Sequence, residues 1–148
     1  MPPGMATARD NLVAARQLKA EPFSPAEIDA LLKRAAGLLT DAGNPALSPA
    51  GRFALAYDAA FALATTSLRS AGYRADATRG HRAVVFQVLP HTLQAPQDLW
   101  TARSAAHDRR NAVEYSSALG PTESEARDLL SLARKLDGMV RARVSKVR

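Results

Sequence analysis

Apolar residues recur at helical spacing along most of this chain. In "SPAEIDALLKRAAGLL", Ile28, Leu31, Leu32, Ala35, Leu38 and Leu39 form one stripe. Ser24 stands where an N-cap belongs, Pro25 opens the first turn, and Glu27 completes a capping box. Asp41, Gly43, Asn44 and Pro45 then break the pattern. "SPAGRFALAYDAAFALATTSLRSAG" repeats the device with Ser48 and Pro49, and Gly72 stops it. Its stripe is Phe53, Tyr57, Ala60, Phe61, Ala64 and Leu68. Ala56, Ala60 and Ala64 let a neighbouring helix come close, so this is the expected central helix.

The remaining pattern is also helical. "AVVFQVL" has strand-like composition, but it is short and lies between helices. It is read as a short helix that Pro90 ends or bends. "PQDLWTARSAAHDRRNAVEYSS" predicts a helix from about Pro96 to Ser116, with Leu99, Ala102, Ala106 and Val113 as its stripe. "TESEARDLLSLARKLDGMVRARV" starts with Thr122 as cap and Glu125 closing a second box. Ala126, Leu129, Leu130, Ala133, Leu136, Val140 and Val144 follow. A further helix is expected over roughly Ala6 to Lys19. The connections are short, so neighbouring helices should run antiparallel. The expected fold is all-α: one domain over residues 1–148, an up-and-down bundle of four long helices plus one or two short ones. About 1–5 and 145–148 are expected to be loose.

Composition narrows the chemistry. A chain of 148 residues fits one domain that folds without covalent staples. With no cysteine, disulfides, thiolate zinc sites and a cysteine nucleophile are excluded. No apolar run approaches the roughly 20 residues that span a bilayer. The first residues lack an apolar signal core. A soluble, cytoplasmic protein with no membrane partner is therefore expected. There are three histidines but no H-x-x-x-H pair and no dense carboxylate cluster, so no metal is expected. Walker, G-x-G-x-x-G and G-x-S-x-G motifs are absent, and no cofactor is expected.

Charge points elsewhere. The net charge is +6, and it is uneven. Residues 69–82 carry Arg69, Arg74, Arg79 and Arg82 against Asp76. Residues 134–148 carry Arg134, Lys135, Arg141, Arg143, Lys146 and Arg148 against Asp137. Such clusters can neutralise phosphates, or simply keep a surface soluble.

The polar stretch "HDRRNAVEYSS", 107–117, interrupts an apolar-striped helix. At roughly 100° per residue, His107, Asn111 and Glu114 share a face, and Arg103 and Arg110 point almost the same way. Arg110 lies beside the stripe, about 40° from Ala106 and 60° from Val113. It could pair with Glu114 one turn on, as a structural ion pair or part of a dimer interface. It could equally present a planar fork of donors to phosphate oxygens, with Asn111 orienting the ligand. RNA cleavage at such a site would need a base for the 2′-hydroxyl, and histidine is the usual choice near neutral pH.

"AHDRRNAVEYSS", followed by the capped "TESEARDLLSLARKL", resembles the end of a HEPN domain (higher eukaryotes and prokaryotes nucleotide-binding). "RFALAYDAAFALATTSLRSAGYRADATRGHRAVVFQVL" is similar to the middle helices of that family. The resemblance spans about Ser48 to Val140 and implies a helical bundle, usually a homodimer. Many such proteins are metal-independent ribonucleases of toxin–antitoxin or defence systems; others are non-catalytic partners of small nucleotidyltransferases. The active motif is arginine, a polar residue, then histidine after a short gap, with two copies meeting across the dimer. Carried onto this chain, it matches Arg110 and Asn111, and Tyr115 stands at the histidine position. His107, one turn before Arg110, is the local alternative base. Arg103, Arg109 and Arg110 are the expected nucleic-acid contacts. The resemblance thus implies RNA as a partner, with an antitoxin or nucleotidyltransferase as the protein alternative. DNA binding through the basic tail, Arg141 to Arg148, is a third reading.

Overall fold

The computed structural model describes residues 18–75, 84–86 and 120–147. A short strand β1 (Leu18–Ala20) leads into α1 (Pro25–Ala42) and α2 (Pro49–Ser70). Strand β2 (Tyr73–Ala75) follows, and α3 (Glu123–Val147) is the last element. Residues 84–86 are helical. The described chain is thus mostly helical, with one two-stranded ribbon added. The expected helix over 96–116 lies outside the described residues, as do 1–17.

The helix starts follow from the caps. Ser24 Oγ accepts from the Glu27 N–H at 3.2 Å, and Ser48 Oγ accepts from the Gly51 N–H at 3.1 Å. Each serine is followed by a proline, whose missing N–H costs nothing in the first turn. At α3 the box is reciprocal. The Glu125 N–H donates to Thr122 Oγ1 and the Thr122 N–H to Glu125 Oε1, both at 3.1 Å. Thr122, Glu123 and Glu125 also place acceptors and negative charge at the positive end of the helix.

Helix α2 is the centre. It packs against both α1 and α3, which touch each other much less. The polypeptide turns over residues 43–48, so α1 and α2 run antiparallel. An Arg52–Glu123 ion pair joins the first turns of α2 and α3, so these two run parallel. Centrality explains the burial. Phe53, Tyr57, Ala60, Ala64 and Leu68 are buried as the stripe requires, and so are Ala59, Ala62, Leu63, Thr66 and Ser67. Small side chains at Ala56, Ala60 and Ala64 leave at most 2% of each exposed. Phe61 is only partly buried. It meets Phe86 edge-on at 6.0 Å, and Tyr57 meets the same ring at 5.6 Å. On α1 the inner residues are Ile28, Leu32, Ala35 and Leu39, with Leu31 and Leu38 at the margin. On α3 they are Ala126, Leu129, Ala133, Leu136, Val140 and Val144.

Two features depart from the sequence expectation. The helix predicted to run to Lys19 does not: Leu18 and Lys19 are extended and pair with β2. The antiparallel register places Leu18 opposite Ala75, Lys19 opposite Arg74 and Ala20 opposite Tyr73. Gly72, at φ 90, makes the turn from α2 into β2 that an L side chain would resist. Secondly, the Glu27 carboxylate is drawn away by arginines from another part of the chain. Among the described residues, no helix is long and apolar enough to cross a membrane.

Candidate functional site

His107, Arg103, Arg109, Arg110, Asn111 and Tyr115 all lie outside the described residues, as do His81, His91 and Trp100. The described part contains a different charged constellation, which joins the ribbon, the start of α1 and the end of α2.

Its hub is Arg69, near the C-terminus of α2, with a side chain only 1% exposed. All of its N–H groups are used. Nε donates to Glu27 Oε1 at 2.9 Å and Nη2 to Glu27 Oε2 at 3.1 Å, a two-pronged grip on the carboxylate. Nη1 donates to the carbonyl oxygens of Glu21 (2.9 Å) and Tyr73 (3.0 Å). Nη2 also donates to the Pro22 carbonyl at 2.8 Å. Arg74, on β2, donates to Glu27 Oε1 at 2.8 Å and to Glu21 Oε2. Two arginines and two glutamates therefore neutralise one another. The Arg69 guanidinium holds the Glu27 carboxyl below its usual range, against the opposing effect of burial. Arg74 does the same for Glu21.

One buried guanidinium thus satisfies two backbone carbonyls of the 18–24 segment, Glu21 and Pro22, together with that of Tyr73 on β2. It also removes Arg69 from the cations available to phosphate and pairs the half-exposed Arg74 with two carboxylates. The 69–82 cluster is therefore less of a binding surface than its charge suggests. A fully bonded guanidinium has no donor left for a substrate, so the network is structural. Its sequence signal was legible in part: Arg69 is the only charged residue from 59 to 73.

Arg52 is a contrasting case. Its side chain is 11% exposed and paired with Glu123, which is 54% exposed. Its buried Nε has no hydrogen-bond partner, while Nη2 meets the Glu123 carboxylate as an ion pair. On α3 the cations face water. Arg127, Arg134, Lys135, Arg143 and Lys146 are exposed. Arg141 is engaged, donating from Nε to Asp137 at 2.9 Å and from Nη2 to the Leu32 carbonyl at 3.2 Å. The Arg134 guanidinium lies over the C-terminal end of α1, where a Cβ on Gly43 would come within 2.9 Å of it. Cations there complement the negative end of the helix.

No protein-family model, curated protein or solved structure matches this chain.

Proposed function

We propose that this protein binds RNA as a HEPN-like homodimer of a toxin–antitoxin or defence system. Arg110 would contact phosphate, Asn111 would orient it, and Tyr115 or His107 would complete the site. Arg103 and Arg109 would add phosphate contacts. The carrying observation is the R-N-x-x-x-Y spacing at Arg110, Asn111 and Tyr115, set in a chain of net charge +6. The exposed cations of α3 are compatible with a polyanionic partner. If the protein is active, the chemistry is metal-independent attack of a 2′-hydroxyl on the adjacent phosphate. The arginine would stabilise the developing negative charge.

A second reading follows from Tyr115. A phenol with an ordinary pKa of about 10 is a poor base at neutral pH. It remains able to donate a hydrogen bond or stack on a base. That favours a non-catalytic module partnering a small nucleotidyltransferase or an antitoxin-like protein.

One experiment separates these readings. Wild type and Arg110→Ala are incubated with RNA in EDTA, and both binding and cleavage are followed. Cleavage lost in the variant supports the ribonuclease. Binding without cleavage, weakened by the substitution, supports RNA recognition alone. Absence of binding at low salt sinks the RNA reading and leaves the protein-partner module.

A further inference from the structure

Charge is divided unevenly along α3. Its first turns carry Glu123, Glu125 and Asp128 against Arg127. From residue 129 to the end of the helix the balance reverses, with Arg134, Lys135, Arg141, Arg143 and Lys146 against Asp137. Asp137 is already held by Arg141, which also bonds the Leu32 carbonyl and so fastens α3 to α1. Among the described residues, Arg134, Lys135, Arg143 and Lys146 enter no ion pair, whereas Arg52, Arg69, Arg74 and Arg141 all do.

The outward side of α3 gives these cations a shape. Ser131, Gly138, Ala142 and Ser145 are exposed there. At roughly 100° per residue they fall within an arc of about 60°. A Cβ on Gly138 would meet nothing within 4 Å, so the strip is open. Arg134 flanks it on one side, and Lys135 and Lys146 on the other, each about 20–40° beyond its edge. The two lysines stand about 16.5 Å apart along the axis. Small residues between two cationic rims let a chain of phosphates lie close to the helix.

We propose that this face is a track for the RNA backbone. The phosphodiester chain lies along the strip, and its phosphates are neutralised by Arg134 on one side and by Lys135 and Lys146 on the other. The inference rests on the RNA reading but uses none of residues 103–115. Other occupants fit poorly. A helix lying on a membrane inserts an apolar face, and α3 has spent its own on α2. A protein partner is anchored by buried aromatic or aliphatic side chains, and Val147 is the one large exposed apolar residue on α3. The helix has no aromatic residue on which a base could stack. The track therefore contacts phosphates and reads no sequence.

The test follows the anisotropy of a short fluorescent RNA titrated with the full chain over a range of salt. The double variant Lys135→Gln/Lys146→Gln should lower the slope of log K against log salt by about 1.4, at about 0.7 for each phosphate contact on a single strand. That corresponds to roughly 25-fold weaker binding at about 0.1 M salt. The same loss is expected on an RNA of unrelated sequence and on DNA of the first sequence. Arg34→Gln removes a charge from the α1–α2 groove instead and should leave the slope unchanged. Both lysines are exposed, so melting temperatures should hold. The proposal is overturned if the double variant keeps the wild-type slope, or if Arg34→Gln costs as much as either lysine. A loss confined to one sequence overturns it, as does a loss seen on phosphatidylserine vesicles and not on RNA. Arg110→Ala, titrated alongside, separates the track from the motif. Weakening by Arg110→Ala with the double variant unaffected overturns the track alone. The converse supports the track and overturns the motif site. No binding by wild type at low salt overturns both.

Discussion

Replacing Arg69 by methionine is the most searching test of the fold. The substitution keeps an unbranched side chain of similar reach and deletes every donor. It strands the carbonyls of Glu21, Pro22 and Tyr73 and leaves Glu27 with Arg74 alone. Removing one partner of a buried ion pair costs about 3–5 kcal/mol. The side chain of Glu27 is 28% exposed, so water recovers part of its loss and the lower half of that range applies. The orphaned carbonyls pull the other way, at about 1–3 kcal/mol for each that stays dry. A net loss of about 3–5 kcal/mol is expected. For a chain of this size it lowers Tm by roughly 6–20 °C, at about 2–4 °C per kcal/mol. Urea unfolding followed by circular dichroism at 222 nm measures it directly. Glu27→Gln in both backgrounds then completes a double-mutant cycle. The two losses should overlap, with a coupling of about 1–3 kcal/mol. A loss under 1 kcal/mol for Arg69→Met, or strictly additive single changes, would refute the claim that this guanidinium ties the segments together.

Other outcomes follow from the same reasoning. Arg52→Met should change stability by less than about 1 kcal/mol, because its ion-pair partner Glu123 is 54% exposed and water takes over that carboxylate once the cation is gone; a loss above about 2 kcal/mol counts against this. The native carboxyls of Glu21 and Glu27 titrate below their ordinary 4.5, so the unfolded chain takes up their protons first. Their stabilisation is complete above that value and is lost as pH falls through the lower native values, so unfolding curves from pH 6 to 3 should show it. Arg69→Met should flatten this dependence, and an identical pH profile in the variant would contradict it. Ala60→Leu should cost about 1–3 kcal/mol, since Ala60 is 2% exposed where α2 is enclosed; a neutral result in thermal melts would show that the helices are not in close contact there.

The parts of this fold that the sequence made legible are those written by neighbours. Ser24 and Pro25, Ser48 and Pro49, and Thr122 with Glu125 mark helix starts through bonds spanning three residues. The apolar stripes of α1 and α3 are read the same way. Long-range contacts escape this reading. "LKA" at 18–20 is too short to show any period, and its partner lies more than fifty residues away. Glu27 fits the local capping pattern in type and spacing, yet its carboxylate is held by Arg69, 42 residues on. A local rule cannot weigh a distant donor that offers a stronger, charged hydrogen bond. Counting charges misled for the same reason: Arg69 and Arg74 read as free cations, and the structure spends both on glutamates. The candidate RNA site rests on residues 103–115, so its evidence is the motif and its spacing.

The Arg69 network also bears on the order in which the chain can be completed during synthesis. Residues 21–27 leave the ribosome well before the guanidinium that organises them. At about 5–20 residues per second, the 42 positions between Glu27 and Arg69 correspond to roughly 2–8 s. For that interval α1 can be capped by Ser24 while the segment ahead of it has no partner. The 18–24 segment and the start of α1 are therefore finished only once the end of α2 has been made, and nascent chains halted before residue 69 should leave 18–24 open to proteolysis.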